Sequence, residues 1–521
     1  MTERVMNNSY LPDERPPAGK LLLYALQQVI VMFPATVAVA LITGFQVSTT
    51  IFASGLATVC FILITGRKIP MYYGSSFAYL TAISSMKLGA VTFKAAMGAN
   101  AGILPPEFIS VAQFGIIFSG LISIIAGLLV RWGGRDKVEK ILPAQVTGPV
   151  AMIIGLTLAG VAMQDAAPAA AVNSLANAGS AFIGQLAQLA GVGAEAAAQA
   201  VNGAVASLGE TAAAAMQAPA VKSVFSSGWV WVVSLSTLFS TMIFSRYLKG
   251  LLGQLPLLLG ALFGCAVAGI IYAVGGPDMN LFRQIPDAAL NASLWKLGDG
   301  SIFSLPAFTF PRVSWAAVAA IMPIAIATIP ESTAHIYQLD IYVNNEAKKK
   351  GKHYDIASLL DRNLIGDGLC DMVSGVVGGP AGTNYGENIS TMAITRVFSI
   401  PVMMAAGVIA MVVSCFTPLI RVIYGIPQAV IGGLEIYLFG AIAAQGIAIL
   451  IDKGVSMFSA RNIAVIAVIM TFGLGVNYGF GGSIDFFGLN VPAIAGAAVL
   501  GIVVNFILGI GEKKNQEKAA G

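Results

Sequence analysis

Three ionisable side chains lie in apolar stretches of this sequence, where a charge is costly. Glu387 stands in "GGPAGTNYGENISTMAITR", and Glu331 and His335 stand in "AAIMPIAIATIPESTAHIYQLD". A carboxylate at the centre of a bilayer costs about 2.5–3.5 kcal/mol, so its presence in such a stretch indicates a functional site. We therefore interpret Glu331, His335 and Glu387 as candidate site residues.

These residues suit hydrogen bonding to a small ring. Glu331 and His335 are four residues apart, so both lie on one face of a helix; the alternative is a structural pair that only braces neighbouring helices. Carboxylates accept hydrogen bonds, free N–H groups at a helix start donate them, and Phe77 offers a flat apolar face. Together they fit a planar, neutral ring with alternating N–H and C=O groups, whereas two carboxylates repel simple anions unless both are protonated.

Other kinds of site find little support in the sequence. It has no His/Cys cluster, HExxH motif or Walker A loop, so we expect no metal, no cofactor and no enzymatic reaction. The second histidine, His353, lies in a basic loop and is interpreted as solvated. Four cysteines in separate apolar segments are interpreted as small buried side chains; they are Cys60, Cys265, Cys370 and Cys415.

The composition indicates a membrane protein. Of 521 residues, 57% are hydrophobic and only 10% are charged, whereas a soluble domain has about 25% charged residues. The polar N-terminus shows no apolar stretch with a cleavage site, so we expect no removable signal peptide. Apolar runs long enough to cross a bilayer predict an all-α polytopic membrane protein with fourteen transmembrane spans, at 21–44, 49–65, 70–87, 111–132, 143–160, 229–245, 255–274, 315–340, 363–379, 382–400, 401–423, 426–451, 461–478 and 491–510.

The basic residues are distributed unequally between the loops. If the N-terminus is cytoplasmic, 22 of the 29 Lys and Arg residues lie on the cytoplasmic side. This agrees with the positive-inside rule, so we expect both termini in the cytoplasm.

The long loop at 161–227 is rich in Ala and Gly and is predicted to be extracytoplasmic. We interpret it as a surface insertion, with a lid or an oligomer contact as the alternative. Its apolar residues recur at helical spacing and predict an amphipathic helix; they are Leu175, Phe182, Ile183, Leu186 and Leu189.

Short motifs recur in the same order in the two halves of the chain. "YYGSSFAYL" (Tyr72–Leu80) resembles "NYGENISTM" (Asn384–Met392), and "LPAQVTG" (Leu142–Gly148) resembles "IPQAVIG" (Ile426–Gly432). Because seven spans per half is an odd number, the halves must be inverted relative to each other. Inverted repeats with interrupted helices are typical of transporters whose site lies at the middle of the membrane.

Spans 3 and 10 are predicted to be interrupted. In span 10, glycines and Pro380 disfavour a helix before Asn388, and Pro401 ends it, which leaves a helix of about 18 Å. The hydrocarbon core is about 30 Å thick, so Thr383–Glu387 must be extended, as must the segment around Gly74 in span 3. Unpaired backbone is tolerated at this depth only where it faces protein or water. We therefore expect the two extended segments to pair with each other.

The stretch "NYGENISTMAITRVFS", together with "YYGSSFA" and the Glu331–His335 spacing, resembles the signature of the nucleobase/ascorbate transporter family (nucleobase–cation symporter family 2). The resemblance is greatest to its bacterial uracil permease branch and covers nearly the whole chain apart from 161–227. It implies two inverted seven-span repeats, with spans 1–4 and 8–11 in a core domain and spans 5–7 and 12–14 in a gate domain. The ranges are 1–20 for a cytoplasmic tail, 21–142 and 315–425 for the core, and 143–314 and 426–521 for the gate with a second cytoplasmic tail.

The resemblance also implies a function, that of a proton-coupled secondary transporter that imports uracil across the bacterial plasma (inner) membrane by alternating access. The implied partners are the nucleobase, protons and membrane lipid, with a homodimer through the gate domain and no nucleic acid. Alternatives are a symporter for xanthine, uric acid or another nucleobase and, from a different class, an inverted-repeat anion transporter or channel. An intramembrane enzyme would need a nucleophile–base or metal constellation, which the sequence lacks.

Carried over to this sequence, Glu331 and Glu387 bind the base by hydrogen bonds, and Glu331 with His335 couples protons. The residues implied to give packing and backbone contacts are Phe77, Tyr385 and Gly386. Purine-transporting members tend to have Gln at the position of Glu387, which favours uracil. Two positions depart from the family pattern: Gln28 stands where many relatives have His, and Ser390 replaces a common Gly.

Overall fold

The protein is described by a computed structural model that covers residues 9–89, 91–93, 96–97, 102–134, 143–167, 228–250, 252–284, 294–296, 302–486 and 489–519. These residues are mainly helical, as predicted. The amphipathic helix predicted within 161–227 lies outside the described residues, which stop at residue 167 on that side of the loop.

The helices of the first half of the chain follow the predicted spans closely. Span 3 is the exception, because it consists of a strand, the 3₁₀ turn Phe77–Tyr79 and a short helix. The helices are α1 (Ala18–Thr43), α2 (Val47–Ile64), α3 (Leu80–Ser85), α4 (Pro106–Gly133), α5 (Ala144–Ala166), α6 (Trp229–Tyr247) and α7 (Pro256–Gly275).

The second half repeats the order of two long helices, a strand and a short helix. A 3₁₀ turn, Met322–Ile324, joins the first two helical segments into one long span. The helices are α8 (Trp315–Ile321), α9 (Ala325–Ala347), α10 (Leu360–Val377), α11 (Gly386–Thr395), α12 (Ile400–Ser414), α13 (Thr417–Tyr424), α14 (Gln428–Asp452), α15 (Ala460–Gly479) and α16 (Ala493–Ala519).

Among the described residues, nine helices are long and apolar enough to cross a membrane. This establishes a multi-pass membrane protein, whereas the count of fourteen spans stays a prediction. Helix α10 is not one of these nine helices. It contains four charged residues, which are Asp361, Arg362, Asp367 and Asp371.

Two predicted helix boundaries were wrong. Span 11, predicted as one helix over 401–423, is divided into α12 and α13, with Phe416 in an extended conformation between them. Pro418 explains the break, since a proline inside a continuous helix removes a hydrogen bond and clashes with the preceding turn. In span 10 the helix begins at Gly386 rather than near Asn388, so Glu387 lies in its first turn rather than in extended chain.

The helices pack in two groups. In the first bundle, α4 and α2 pack on α10, α2 and α1 pack on α12, and α8 packs on α4. In the second bundle, α5 packs on α14 and α15, α6 packs on α7 and α14, and α15 packs on α16. Glycines permit the close approach, because a Cβ added at Gly55 would meet the Gly407 carbonyl oxygen, and one at Gly446 that of Gly148. The division into a core domain and a gate domain stays a prediction.

The described strands form four antiparallel pairs, of which one lies inside the first bundle. That pair joins β1 (Tyr73–Ser75) to β6 (Gly382–Asn384), from opposite halves of the chain. The other pairs are the short hairpins β2 (Lys87–Leu88) with β3 (Val91–Thr92), β4 (Leu294–Lys296) with β5 (Ser304–Pro306), and β7 (Ser483–Phe486) with β8 (Leu489–Pro492).

Residues 9–17 form a segment, here called the N-terminal strap, that lies across the second half of the chain. The Tyr10 N–H donates to the Arg396 carbonyl oxygen at 2.9 Å. Lys350 Nζ donates to Glu14 Oε2 at 2.7 Å. The strap therefore links the end of α11 to the loop between α9 and α10.

Candidate functional site

The site is built on the pairing of β1 with β6. Tyr73 lies opposite Asn384, and Ser75 lies opposite Gly382. The Tyr385 N–H donates to the Tyr72 carbonyl oxygen at 2.9 Å and extends the pair by one more bond. The prediction that extended segments in spans 3 and 10 pair with each other is therefore confirmed.

Side chains hydrogen-bond to backbone groups on both outer edges of this two-stranded sheet. Such bonds are needed because the bilayer offers no water to pair with these groups. On β1, Ser54 and Thr58 of α2 donate to the Tyr73 carbonyl oxygen at 2.8 and 3.1 Å, and the Tyr73 N–H donates to Thr58 Oγ1 at 3.0 Å. On β6, the Gly382 N–H donates to Asp371 Oδ1 at 2.8 Å. Hydroxyl groups thus serve one edge, and a carboxylate serves the other.

Two carboxylates lie near the end of β6. Glu387 lies in the first turn of α11 with an exposed side chain, and Glu331 lies half-buried on α9. They are close enough for their charges to repel each other. The start of α11 also presents backbone N–H groups that the helix itself does not use. Acceptors and donors therefore meet at one accessible place in the first bundle.

His335 lies against the backbone at the end of β6. A Cβ added at Gly386 would lie 2.9 Å from His335 Nε2, so the imidazole would have to shift to accommodate it. The imidazole hydrogen-bonds the backbone of Asn384, while its buried Nδ1 has no hydrogen-bond partner among the described residues. The structure thus brings His335 to the same strand as Glu387.

The two aromatic residues occupy different positions. Tyr385 is buried, donates from its hydroxyl to the Ser75 carbonyl oxygen at 2.9 Å and stacks on Tyr72 with ring centroids 6.5 Å apart. Phe77 is half-buried and meets the edge of Phe439, on α14 of the second bundle, with centroids 6.3 Å apart. Tyr385 therefore packs against the two-stranded sheet, whereas Phe77 lies where the two bundles meet.

A buried polar network under the site was missed by sequence reasoning. Asn384 Nδ2 donates to Asp367 Oδ1 at 2.8 Å and to Asn363 Oδ1 at 3.1 Å. Ser332, next to Glu331, donates to Asp367 and accepts from Asn363. The signal was present in the sequence, since acidic residues four apart in an apolar span indicate a buried polar face.

Gln28, one of the two departures from the family pattern, holds the start of α11. Asn388 Nδ2 donates to Gln28 Oε1 at 2.8 Å and to the Gln28 carbonyl oxygen at 3.0 Å. Both side chains are buried. Gln28 therefore fixes the turn that carries Glu387. Among the described residues, no group of three or more His, Cys, Asp or Glu side chains is arranged to hold a metal ion.

Comparison with known proteins agrees with this architecture. The profile of the Permease family named Xan_ur_permease matches residues 19–193 and 187–482. The chain is 30% identical to the uracil permease of Bacillus caldolyticus, over 95% of this chain and 94% of that protein. It is 29% identical to the putative pyrimidine permease RutG of Escherichia coli, over 89% and 85% of the two chains, and 28% identical to the uracil permease of Escherichia coli, over 97% and 94%.

Solved structures share the fold at much lower identity. The murine Slc26a9 anion transporter in its inward-facing state matches with a TM-score of 0.55 and 12% identity, over 98% of this chain and 72% of that chain. The transmembrane domain of the cyanobacterial bicarbonate transporter BicA matches with a TM-score of 0.50 and 13% identity, over 93% and 96%. Because the profile matches most of the chain, the resemblance to nucleobase transporters is confirmed, and the protein belongs to the Permease family Xan_ur_permease.

Proposed function

We propose that this protein is a proton-coupled secondary transporter that imports uracil across the bacterial plasma membrane. The observation that carries the proposal is the placement of Glu387, whose exposed carboxylate lies in the first turn of α11 beside Glu331. The names of the relatives support it, since two of those compared are uracil permeases and a third is a putative pyrimidine permease.

The chemistry of the site suits a base of this kind. Uracil alternates N–H and C=O groups around a planar ring. The carboxylates of Glu331 and Glu387 accept from the N–H groups, and the free backbone N–H groups at the start of α11 donate to a C=O group. Phe77 supplies an apolar face on which a planar ring stacks. Xanthine, uric acid and other nucleobases offer a similar edge and are the alternative substrates.

An inverted-repeat anion transporter or channel is the less favoured alternative. The fold alone does not decide, because the structural neighbours named above include anion transporters. The side chains do discriminate. Two carboxylates repel an anion, and an anion site would place a hydroxyl or an Arg where this chain has Glu387.

Alternating access is proposed to arise from movement of the first bundle, as core, against the second bundle, as gate. Glu331, His335 and Glu387 all lie on the first bundle, whereas Phe439 lies on the second. The contact between Phe77 and Phe439 crosses the boundary. A shift of one bundle against the other therefore changes access to the face of Phe77.

Proton coupling is assigned to Glu331 and His335. A protonated Glu331 keeps an acceptor oxygen and gains an O–H donor, so it can bond to both an N–H and a C=O group and hold a neutral base more tightly. A carrier driven by a proton gradient needs such a reciprocal dependence of substrate affinity on protonation. For His335 the alternative is a bracing role, which its bond to the Asn384 backbone favours.

The orientation in the membrane and the assembly are part of the same proposal. The excess of Lys and Arg in alternate loops supports cytoplasmic termini. Large apolar side chains exposed on the second bundle, including Phe239, Phe263 and Ile270, support a membrane-embedded surface for lipid or for a homodimer.

Uptake of radiolabelled uracil into proteoliposomes tests the function. We expect accumulation when the outside is made more acidic, collapse of accumulation with a protonophore, and none in protein-free vesicles. Unlabelled uracil should compete better than xanthine or uric acid, and sulfate should not compete. Equal competition by xanthine would favour the alternative substrates, whereas inhibition by sulfate alone would favour an anion transporter.

A further inference from the structure

The outer edge of β6 has a backbone N–H group that pairs with a side chain of α10. A sheet of two strands leaves backbone groups unpaired along both outer edges, and inside a membrane no water satisfies them. The Gly382 N–H points to this edge and donates to Asp371 Oδ1 at 2.8 Å. Asp371 is fully buried on α10.

The same carboxylate oxygen also reaches the other strand. The Tyr73 hydroxyl, which comes from β1, donates to Asp371 Oδ1. Tyr73 is buried as completely as Asp371. The Ser119 hydroxyl on α4 interacts with the same carboxyl group. One side chain therefore joins both strands of the sheet to two helices of the first bundle.

Both strands lead directly to residues that contact substrate in the proposed function. Gly382 is five residues before Glu387, and Tyr73 is four residues before Phe77. A shift of one strand along the other would therefore change the distance between the hydrogen-bonding carboxylate and the apolar face. Binding sites depend on supporting residues that hold such groups within a fraction of an ångström.

We propose that Asp371 is a positioning residue for substrate binding, acting as a hydrogen-bond acceptor that fixes β6 against β1. It does not contact the base itself. The proposal rests on the proposed function, because its effect on affinity requires that Glu387 and Phe77 bind the base. Its effect on the strands does not depend on any substrate.

Four variants test this role: Asp371→Ala, Asp371→Asn, Tyr73→Phe and, as a matched control on the same helix, Leu364→Ala. Leu364 is fully buried, so its truncation destabilises the bundle without removing a bond to either strand. Two quantities are measured on purified protein well below each melting temperature. One is the uracil Kd, and the other is the amide hydrogen exchange of the peptide that spans Gly382–Asn384 without substrate.

We expect Asp371→Ala to weaken uracil binding about tenfold or more and to speed exchange in β6 about tenfold. Asp371→Asn keeps a carbonyl oxygen that accepts both bonds, so it should restore both quantities to within about twofold of wild type. Tyr73→Phe removes one bond and should give an intermediate loss. Leu364→Ala should lower the melting temperature while leaving affinity and β6 exchange near wild type.

Several results would overturn the proposal. These are an unchanged Kd in Asp371→Ala, a loss of affinity in Asp371→Asn as large as that in Asp371→Ala, or a Kd in Leu364→Ala that rises as its stability falls. If Asp371→Ala does not fold, Tyr73→Phe decides by the same two measurements. If wild-type protein binds no uracil, the proposed function fails, while the exchange of β6 still tests the positioning role.

Discussion

The two halves of the chain form the same local structure but place different side chains around it. In the first half, β1 ends at Ser75 and leads into Ser76 and Phe77, and hydroxyl groups of α2 hydrogen-bond to its outer edge. In the second half, β6 leads into Gly386 and Glu387, and its outer edge is served by Asp371 and His335. The backbone is repeated, but every ionisable group of the site belongs to the second half.

This difference separates what the repeat provides from what recognition requires. The paired strands and the short helices need glycines and side chains that hydrogen-bond to the outer edges, and both halves provide them. A planar neutral base presents an edge to hydrogen bonds and a face to stacking. One half offers the carboxylates for the edge, and the other offers Phe77 for the face.

We expect the largest effect from a substitution that breaks the pairing of β1 with β6. A Cβ added at Gly382 would meet the Gly74 carbonyl oxygen, which cannot move without shifting β1, whereas one at Gly74 would meet the ring of Tyr385. We expect Gly382→Ala to lower the free energy of unfolding by about 1–3 kcal/mol and to abolish transport. Gly74→Ala should cost less, because a ring can turn aside.

Thermal unfolding in detergent with parallel uptake assays measures both effects. Gly440→Ala, on α14, is the control, because an added Cβ there meets nothing within 4 Å. It should leave stability unchanged or slightly raised. A Gly382→Ala protein as stable as this control would show that the strands do not approach as closely as described.

The next effect concerns substrate binding in the charged half. Glu387→Gln places a donor where the base presents one of its own, and a mismatch of this kind costs about 1–3 kcal/mol or more. We expect nearly complete loss of uracil binding with little change in melting temperature, since the Glu387 side chain is exposed. Equilibrium binding of labelled uracil to the purified variant measures it.

Ser75→Ala is the matched control, because Ser75 occupies the position of Glu387 in the repeat "YYGSS" and "NYGEN". Its effect on uracil affinity should be several-fold smaller. If the two variants lose affinity equally, the assignment of hydrogen bonding to the second half is contradicted.

The third test asks whether the charged half also carries the proton. His335→Ala should impair accumulation driven by a pH gradient more than exchange of uracil at equilibrium. Exchange needs only movement of the loaded carrier, whereas accumulation also needs proton release and return of the empty carrier. Both are measured on one reconstituted preparation, with and without the gradient. A parallel loss in the two assays would leave His335 as a brace for Asn384 and Glu331 as the remaining candidate.

Much of the fold follows from the sequence because helix breakers act locally. Pro380 and the surrounding glycines predicted the extended segment of span 10, and the length of the remaining helix required a partner strand. The register of Tyr73 opposite Asn384 did not follow, since the strands also contact side chains from distant segments, such as Asp371 on α10. The break between α12 and α13 at Phe416 was missed, because the apolar run continues across it. Pro418 is the residue that indicates this break.

The site was predictable in part for the same reason. Glu331, His335 and Glu387 are conspicuous as ionisable groups in apolar surroundings, and the structure brings them to one strand. Asp367 and Asn363 were missed although the four-residue spacing of Asp367 and Asp371 in a predicted span indicates a buried polar face. Their partners come from distant segments, and the sequence carries no local sign of those contacts.

The halves also differ at the end where the N-terminal strap lies, because Tyr10, Asp13 and Glu14 of the strap bond to residues of the second half. Asp13 and Glu14 pair with Lys352 and Lys350. Burial raises the pKa of Asp13, but the hydrogen bonds from Tyr354 and Lys352 outweigh it and hold the pKa below its usual value of 3.8. For Glu14, burial is likewise outweighed by Lys350 and the Leu11 N–H, so its pKa lies below 4.5. Both carboxylates are therefore bound in their charged form.

The smallest expected effect follows from these pairs. A carboxylate whose folded pKa is lowered adds stability above its unfolded pKa and loses that contribution as the pH falls through the folded value. Removing the charge with Glu14→Gln should therefore cost about 0.5–1 kcal/mol at pH 7, as for partly exposed pairs, and the difference from wild type should disappear near pH 3. Melting temperatures of both proteins across this range measure it, and high salt should shrink the difference at pH 7. A Glu14→Gln deficit that persists at pH 3 would mean that the strap is held by its backbone bonds to Arg396 and by packing, with the ion pairs contributing nothing measurable.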